Sequence, residues 1–311
     1  LVIACLHALG LAIPLVVAIS TSLGARNGIL VRDRLALENA REVDAVIFDK
    51  TGTLTTGEFG VVDMAAVEGQ NAESILSLAA GVERDSEHMI ARAIRSEADS
   101  RGVEPVDVSS FEALEGQGIR AEYEGDTLYV GGPQLLDKLD LTLPDTLADF
   151  EQGAGSKGHT VVFLIKDEAI LAAFALADVI RPESQEVVDR LHAMDVEVAM
   201  LTGDSEEVAH TVAEELGIET VFAEVLPEYK DQKGTSLQEE GKQVAMVGDG
   251  INDAPALTRA DVGIAIGGGT DVAIESAGII LVQNNPLDVV RILELSEATY
   301  KKMIQNLFWA T

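Results

Sequence analysis

DAVIFDKTGTLT, residues 44–55, is the stretch from which the fold can be read. A short continuous apolar run, Ala45 to Phe48, has the pattern of a strand buried on both faces, and it ends abruptly on a carboxylate, Asp49, followed by small hydroxylated residues. The same grammar recurs twice downstream. VEVAML (196–201) runs into Thr202-Gly203-Asp204, and QVAMV (243–247) runs into GDGIND (248–253). Between these strands, ESQEVVDRLHAM and SEEVAHTVAEELG have helical spacing and a polar or glycine stop. Strands alternating with helices predict a doubly wound α/β domain with a parallel sheet, where chemistry gathers beyond the carboxyl ends of the strands. All three polar signatures fall there.

Roughly 150 residues separate Asp49 from Asp204, far too many for one crossover connection. An inserted α+β domain is therefore expected over 57–173. It has a helical stretch from about Ala72 to Ala98, then strand-like GIRAEYEG, TLYVGG, TVVFLIKD and AILAAFALAD with glycine punctuation.

Composition narrows the function. Asp and Glu number 53 against 22 Lys and Arg, a formal net charge of −31, which excludes the basic footprint of a nucleic-acid binder. Acidity spread evenly along the chain predicts a salt-adapted source, in which self-repulsion is screened. The single cysteine, Cys5, excludes an internal disulfide framework.

The first twenty residues, LVIACLHALGLAIPLVVAIS, carry no formal charge, the length a helix needs to cross a hydrocarbon core. The chain starts at Leu1 inside this run and stops at Thr311 as a second apolar stretch begins, so a piece of a larger membrane protein is expected. The expected division is a membrane helix over 1–24, a discontinuous parallel-sheet domain over 25–56 and 174–296, the inserted domain over 57–173, and the start of a further membrane helix over 297–311. Arg26, Arg32 and Arg34 after the first segment, with Lys301 and Lys302 before the second, put the intervening domains in the cytoplasm.

A carboxylate at a strand tip can attack the γ-phosphorus of a nucleotide if the charge on both is neutralised and the geometry is in line. Asp49 is the candidate nucleophile. Mg²⁺ prefers hard oxygen ligands, which Asp49, Asp249 and the Thr51 carbonyl would supply. Lys230 would place a point charge on the phosphate, and Thr202 with the Gly203 amide would hold its other oxygens.

The ordered set DKTGTLT, TGD, LPEYK and GDGINDAPAL resembles the heavy-metal-translocating P-type ATPases, within the haloacid-dehalogenase-like superfamily. The resemblance covers the whole chain. It implies Asp49 as the phosphorylated residue, Lys50, Thr51 and Asp204 as members of the catalytic motifs, Asp178 and Arg181 as part of the hinge region, and Asn252 and Asp253 as supports of the magnesium and phosphate site. Soluble hydrolases of the superfamily carry a second aspartate two positions after the nucleophile, which helps empty the aspartyl phosphate. Here that position is Thr51, so the phosphoenzyme is expected to persist long enough to drive a conformational change.

For the inserted domain, the resemblance implies ATP contacts from Glu83, His88, Gly116 and Gly118, with two departures: Met89 stands where proline is usual, and Gly132 where an asparagine is expected. In the first segment, relatives carry Cys-Pro-Cys or Cys-Pro-His; this chain reads Cys5-Leu6-His7. Cys5 and His7 are the expected ligands of the transported ion, Cu⁺, Cu²⁺ or Ag⁺, because thiolate and imidazole suit soft or borderline metals. Thr55 to Glu58, TTGE, matches a dephosphorylation loop in letters only, since that loop belongs to a separate domain upstream. The expected function is ATP-driven export of copper or silver by an integral membrane protein, with ATP, the metal ion, the lipid membrane and a metal chaperone as partners and no nucleic acid. The competing readings are a soluble phosphatase of the same superfamily and a non-catalytic nucleotide-binding module.

Overall fold

The computed structural model describes residues 13–114, 116–267 and 270–309. In chain order the strands are β1 (Ile29–Val31) and β2 (Ala45–Asp49); β3 (Thr55–Ala66), β4 (Ser109–Leu114), β5 (Gly118–Tyr123), β6 (Asp126–Gly131), β7 (Thr160–Lys166) and β8 (Ala169–Ile180); then β9 (Glu197–Leu201), β10 (Thr220–Phe222), β11 (Val244–Gly248), β12 (Val262–Ile266) and β13 (Ile279–Leu281). They form a seven-stranded sheet, ordered β1-β13-β12-β11-β2-β9-β10, and a six-stranded sheet, ordered β3-β8-β7-β6-β5-β4. The chain divides into two compact units, one holding the residues up to Thr56 and from Ile180 onward, the other Gly57–Val179.

In the first unit every pairing is parallel except β1 with β13. Parallel sheets are covered on both faces, and the central strands show it: all five residues of β2, of β11 and of β12 are buried. Phe48 and Val46 pack on one side with Val187, Leu191 and Met200; Ile47 packs on the other with Leu201, Met246 and Leu257. Each such side chain contributes about 1.5–3 kcal/mol by leaving water. The two predicted crossover helices form as Ser184–His192 and Glu206–Leu216.

The second unit is an antiparallel meander from β4 to β8 with helices Ala72–Val82 and Met89–Ser100 against it. Two expectations need correction here. The single helix expected from Ala72 to Ala98 is two, because the polar run Arg84 to Glu87 offers no apolar stripe and His88 caps a new helix through its own side chain. The boundary expected at 173 falls within β8, which stays paired with β7 as far as Leu176, so this unit continues to Val179.

Among the described residues no helix is long and apolar enough to cross a membrane. Residues 1–12, with Cys5 and His7, lie outside the described set. The helix Ile13–Arg26 is apolar in its first turns, with Leu15, Ile19 and Leu23 exposed. At the other end, the segment expected to start at 297 belongs to one continuous helix, Leu287–Trp309. Its first half is core rather than membrane span: Val289, Val290, Ile292 and Leu293 are buried against the parallel sheet.

Candidate active site

The register of the parallel sheet brings the three polar signatures together. Asp49 pairs with Leu201 and Phe48 with Val247, so Asp49, Thr202 and Asp249 emerge from three adjacent strands at the same edge. A short turn, Ile251–Asp253, brings Asp253 back over the end of β11. The carboxylates of Asp49, Asp249 and Asp253 can place oxygens within 4.8 Å of one another. Lys230, first residue of the helix Lys230–Glu239, enters this cluster: its Nζ donates to Asp49 Oδ1 at 2.5 Å and to Asp253 Oδ1 at 2.7 Å. Gly250 N donates to Asp253 Oδ2 at 3.0 Å, and Thr270 N to the Asp249 carbonyl at 3.1 Å.

Three carboxylates around one ammonium leave excess negative charge. Burial, then the charge of Asp253, push Asp49 up to about 7, against the opposing pull of Lys230. Asp249 rises for the same first two reasons. Burial alone would lower the Lys230 ammonium, but the Asp49 and Asp253 charges reverse it and the net shift is upward. Such a cluster is short of cationic charge, the condition a divalent cation relieves.

The loop Lys50–Leu54 is shaped to expose this edge. Gly52 has φ +77°, and a Cβ there would lie 2.1 Å from Asp249 Oδ2. Only a residue without a side chain allows both that backbone and that approach. The loop carbonyls are held from behind: Arg181 donates Nη2 to Gly52 O at 3.0 Å, Nε to Thr53 O at 3.1 Å and its backbone N to Leu54 O at 3.0 Å. Ser184 Oγ adds a bond to Leu54 O at 2.7 Å, and Thr55 Oγ1 one to Lys50 O at 2.9 Å. Lys50 Nζ lies 2.7 Å from Asp204 Oδ2, tying the loop to the turn after β9. Within that turn Thr202 Oγ1 accepts from Asp204 N at 3.1 Å; Thr202 is buried and Gly203 exposed. Thr51 and Asn252 are exposed at the rim. Ser184 and Thr270 escaped the sequence reading, because a serine after Arg-Pro-Glu and a threonine after three glycines look like ordinary caps.

In the second unit, considered by itself, the break between the two helices opens onto a cavity of about 460 Å³. Glu83, His88, Gly116 and Gly118 all line it, with Phe111 and Gly132. Glu83 is only 3% exposed, and its Oε2 has no hydrogen-bond partner among the described residues. Burial pushes its carboxyl up to about 7, against a bond from Ser86 and the charge of Arg95. His88 Nδ1 accepts from Ile90 N at 3.3 Å, so the proton of the neutral ring sits on Nε2. That cap starts the helix at Met89 without the proline usual at a first helical position. Gly118 is needed by the fold itself: it faces Gly131 across the β5–β6 pair, and a Cβ would lie 2.1 Å from Val130 O. At Gly132 a Cβ would meet only Val161 O, at 4.0 Å, so the missing asparagine leaves open space.

A family model described as haloacid dehalogenase-like hydrolase matches residues 43–261, and a second of the same description matches 233–293. The copper-exporting P-type ATPase B of Archaeoglobus fulgidus is 50% identical over 311 residues, 100% of this chain and 44% of the relative. The probable copper-exporting P-type ATPase V of Mycobacterium tuberculosis is 46% identical over 310 residues, covering 100% of this chain and 40% of the relative. The crystal structure of a zinc-transporting PIB-type ATPase in its E2·Pi state superposes with a TM-score of 0.87 at 36% identity, over 98% of this chain and 49% of that one. The chain thus spans less than half the length of these relatives. By its sheet, its strand-end carboxylates and the family model together, the chain belongs to the haloacid dehalogenase-like hydrolases, and the relatives it resembles there are metal-transporting P-type ATPases.

Proposed function

We propose that this chain is the catalytic portion of an ATP-driven exporter of a soft heavy-metal ion, copper or silver, and that it works through an aspartyl phosphate on Asp49. The observation that carries the reading is the meeting of Asp49, Asp249, Asp253 and Lys230 at one edge of the sheet, beneath a loop whose glycine leaves that edge open. In the reaction, a carboxylate oxygen of Asp49 forms a bond to the γ-phosphorus while the bond to the β–γ bridging oxygen breaks, and ADP leaves with that electron pair. Lys230 offers its ammonium to the transferring oxygens, and Thr202 with the Gly203 amide takes others. Lys50 and Asp204 fix the loop and the turn relative to each other. Thr51, where phosphatases of the fold carry an acid, has a hydroxyl too weakly acidic and too weakly basic to act as general acid or base, so the phosphoenzyme outlives its formation.

Magnesium fits the donor set: hard carboxylate oxygens, a local excess of negative charge and a glycine cradle that any Cβ would fill. Asp49, Asp249 and the Thr51 carbonyl would hold it, with Asn252 and Asp253 in support; when bound, it neutralises charge on the phosphate and on Asp49. ATP binds the Gly57–Val179 unit through Glu83, His88, Gly116 and Gly118. The remainder, residues 25–56 and from Ile180 to about 296, is the phosphorylation domain, and both are cytoplasmic parts of an integral membrane protein. Copper or silver is favoured as cargo by the names of the closely similar relatives and by the Cys5 and His7 side chains. A metal chaperone is a further partner.

The test is labelling with γ-radiolabelled ATP and Mg²⁺. An acid-stable, hydroxylamine-labile phosphate is expected on the chain and is expected to vanish in Asp49→Asn. Undiminished labelling of that variant removes Asp49 as the acceptor.

A further inference from the structure

A nucleotide seated in the Gly57–Val179 unit brings more negative charge than the cavity wall can meet. Among its described lining residues there is no lysine or arginine; the polar side chains are those of Glu83, Ser86, His88, Gln117, Gln134 and Thr160. A phosphate chain leaving such a site needs cationic or N–H partners. The chain as a whole, at a formal net charge of −31, repels it.

Several cations of this unit are already engaged. Arg84 pairs with Asp107 at 2.7 Å, Arg101 with Glu97 at 2.6 Å, Arg120 with Glu112 at 3.4 Å and Lys166 with Asp126 at 2.6 Å. Arg95 donates to the backbone carbonyls of Glu83 and Ser86 and so braces the turn between the two helices. Lys138 differs from all of these. It is exposed on the short helix Pro133–Leu139, whose Pro133 and Gln134 line the cavity, and its Nζ donates to Gln117 Oε1 at 2.7 Å. Gln117 is itself a lining residue on a fixed turn. Its N–H bonds Leu114 O at 2.9 Å, and its carbonyl packs so close to Gly131 that a Cβ there would lie 2.2 Å away. The ammonium is thus held beside the cavity by a neutral amide, and among the described residues no carboxylate pairs with it. Its charge stays available, and a phosphate oxygen is a stronger acceptor than an amide oxygen.

We propose that Lys138 binds the phosphate chain of a nucleotide seated in this cavity, exchanging the Gln117 amide for a phosphate oxygen, and so makes the site favour nucleoside di- and triphosphates over the bare nucleoside. The inference rests on the reading of this cavity as a nucleotide site and adds to it the residue that recognises phosphate. Lys166, paired with Asp126 at the opposite end of β7 from the lining Thr160, has no part in that preference.

The experiment is calorimetric titration of the whole chain with ATP and ADP, and with adenosine by competition against ATP, at low and high ionic strength. Lys138→Gln should weaken ATP and ADP about 3- to 10-fold at low ionic strength, leave adenosine unchanged, and flatten the salt dependence of ATP binding. Lys138→Arg keeps a cation in place and should retain most of the ATP affinity. Lys166→Gln removes the same charge elsewhere in the unit and should leave the preference for ATP over adenosine as it is. If Lys138→Gln weakens ATP and adenosine alike, the side chain acts through packing; if it weakens neither, phosphate is held by other groups; if Lys166→Gln costs as much, only the overall field matters. Each of these results overturns the proposal and leaves the nucleotide site standing. If neither ATP nor ADP binds the folded, unmodified chain, the nucleotide reading itself falls, and the proposal with it.

Discussion

Gly52→Ala tests the geometry of the candidate active site most directly, because two separable costs meet at this position. The first is conformational: at φ +77° an alanine loses about 1–2 kcal/mol relative to glycine. For a domain of this size that corresponds to a fall in Tm of about 2–8 °C. The second is steric: a Cβ would sit 2.1 Å from Asp249 Oδ2 and 2.7 Å from its Cγ. Ordinary contact distances require the carboxylate to retreat by roughly 1 Å, and displacement of a positioning group by that much costs a transfer reaction on the order of 100-fold. Gly217→Ala separates the two, since Gly217 has φ +68° and a Cβ there meets nothing within 4 Å. Thermal unfolding and the initial rate of phosphoenzyme formation, measured on both variants, should therefore agree in Tm loss and disagree in labelling. If Gly52→Ala labels as fast as the unmodified chain, the contact with Asp249 does not matter to the reaction and the proposed site is wrong in that part.

Glu83 should also register in stability. Its folded carboxyl lies above the ordinary 4.5, so the stability it contributes is full below that pH and is lost as pH rises toward 7, in total on the order of 3 kcal/mol. Urea unfolding should accordingly find Glu83→Gln more stable than the unmodified chain at pH 8 and no more stable near pH 4; a less stable variant at pH 8 contradicts the burial argument. Arg181→Lys keeps a positive charge but cannot reach both the Gly52 and Thr53 carbonyls, so about 1–3 kcal/mol should be lost and labelling slowed. A lysine variant that labels normally would show that the loop holds its shape without the clamp.

The strands ending at Asp49 and Asp249 were legible because a parallel sheet covered on both faces demands continuous apolar runs, and such runs stop sharply at a charge. The glycine of the 50–54 loop was legible as a letter but not as a contact. Its role depends on a carboxylate nearly two hundred residues away in sequence, reached only through the pairing of β2 with β11. In the second unit the letters Glu83 and His88 stood out, whereas the break that brings them to a cavity was read as uninterrupted helix. Helical periodicity tolerates a short polar run, and only the packing of both helices against the antiparallel sheet shows where the chain turns. Gly118 illustrates the reverse, since a glycine expected at a ligand is required by the opposite strand.

What the sequence determined by itself was therefore local or summed: strand and helix type, the residues at strand tips, the need for an inserted domain, and a strongly acidic net charge. Each follows from short-range periodicity, covalent spacing or summed charge. Tertiary structure alone decided which groups share a field. Lys230 bridges Asp49 and Asp253, the charge of Asp253 raises Asp49 and Asp249, Arg181 grips the loop from behind, and burial of Glu83 outweighs its bond from Ser86 and the charge of Arg95. Electrostatic and steric energies depend on distances of a few ångströms and on the local dielectric, and both are set by side chains far apart along the chain, so no reading of neighbours in sequence can supply them.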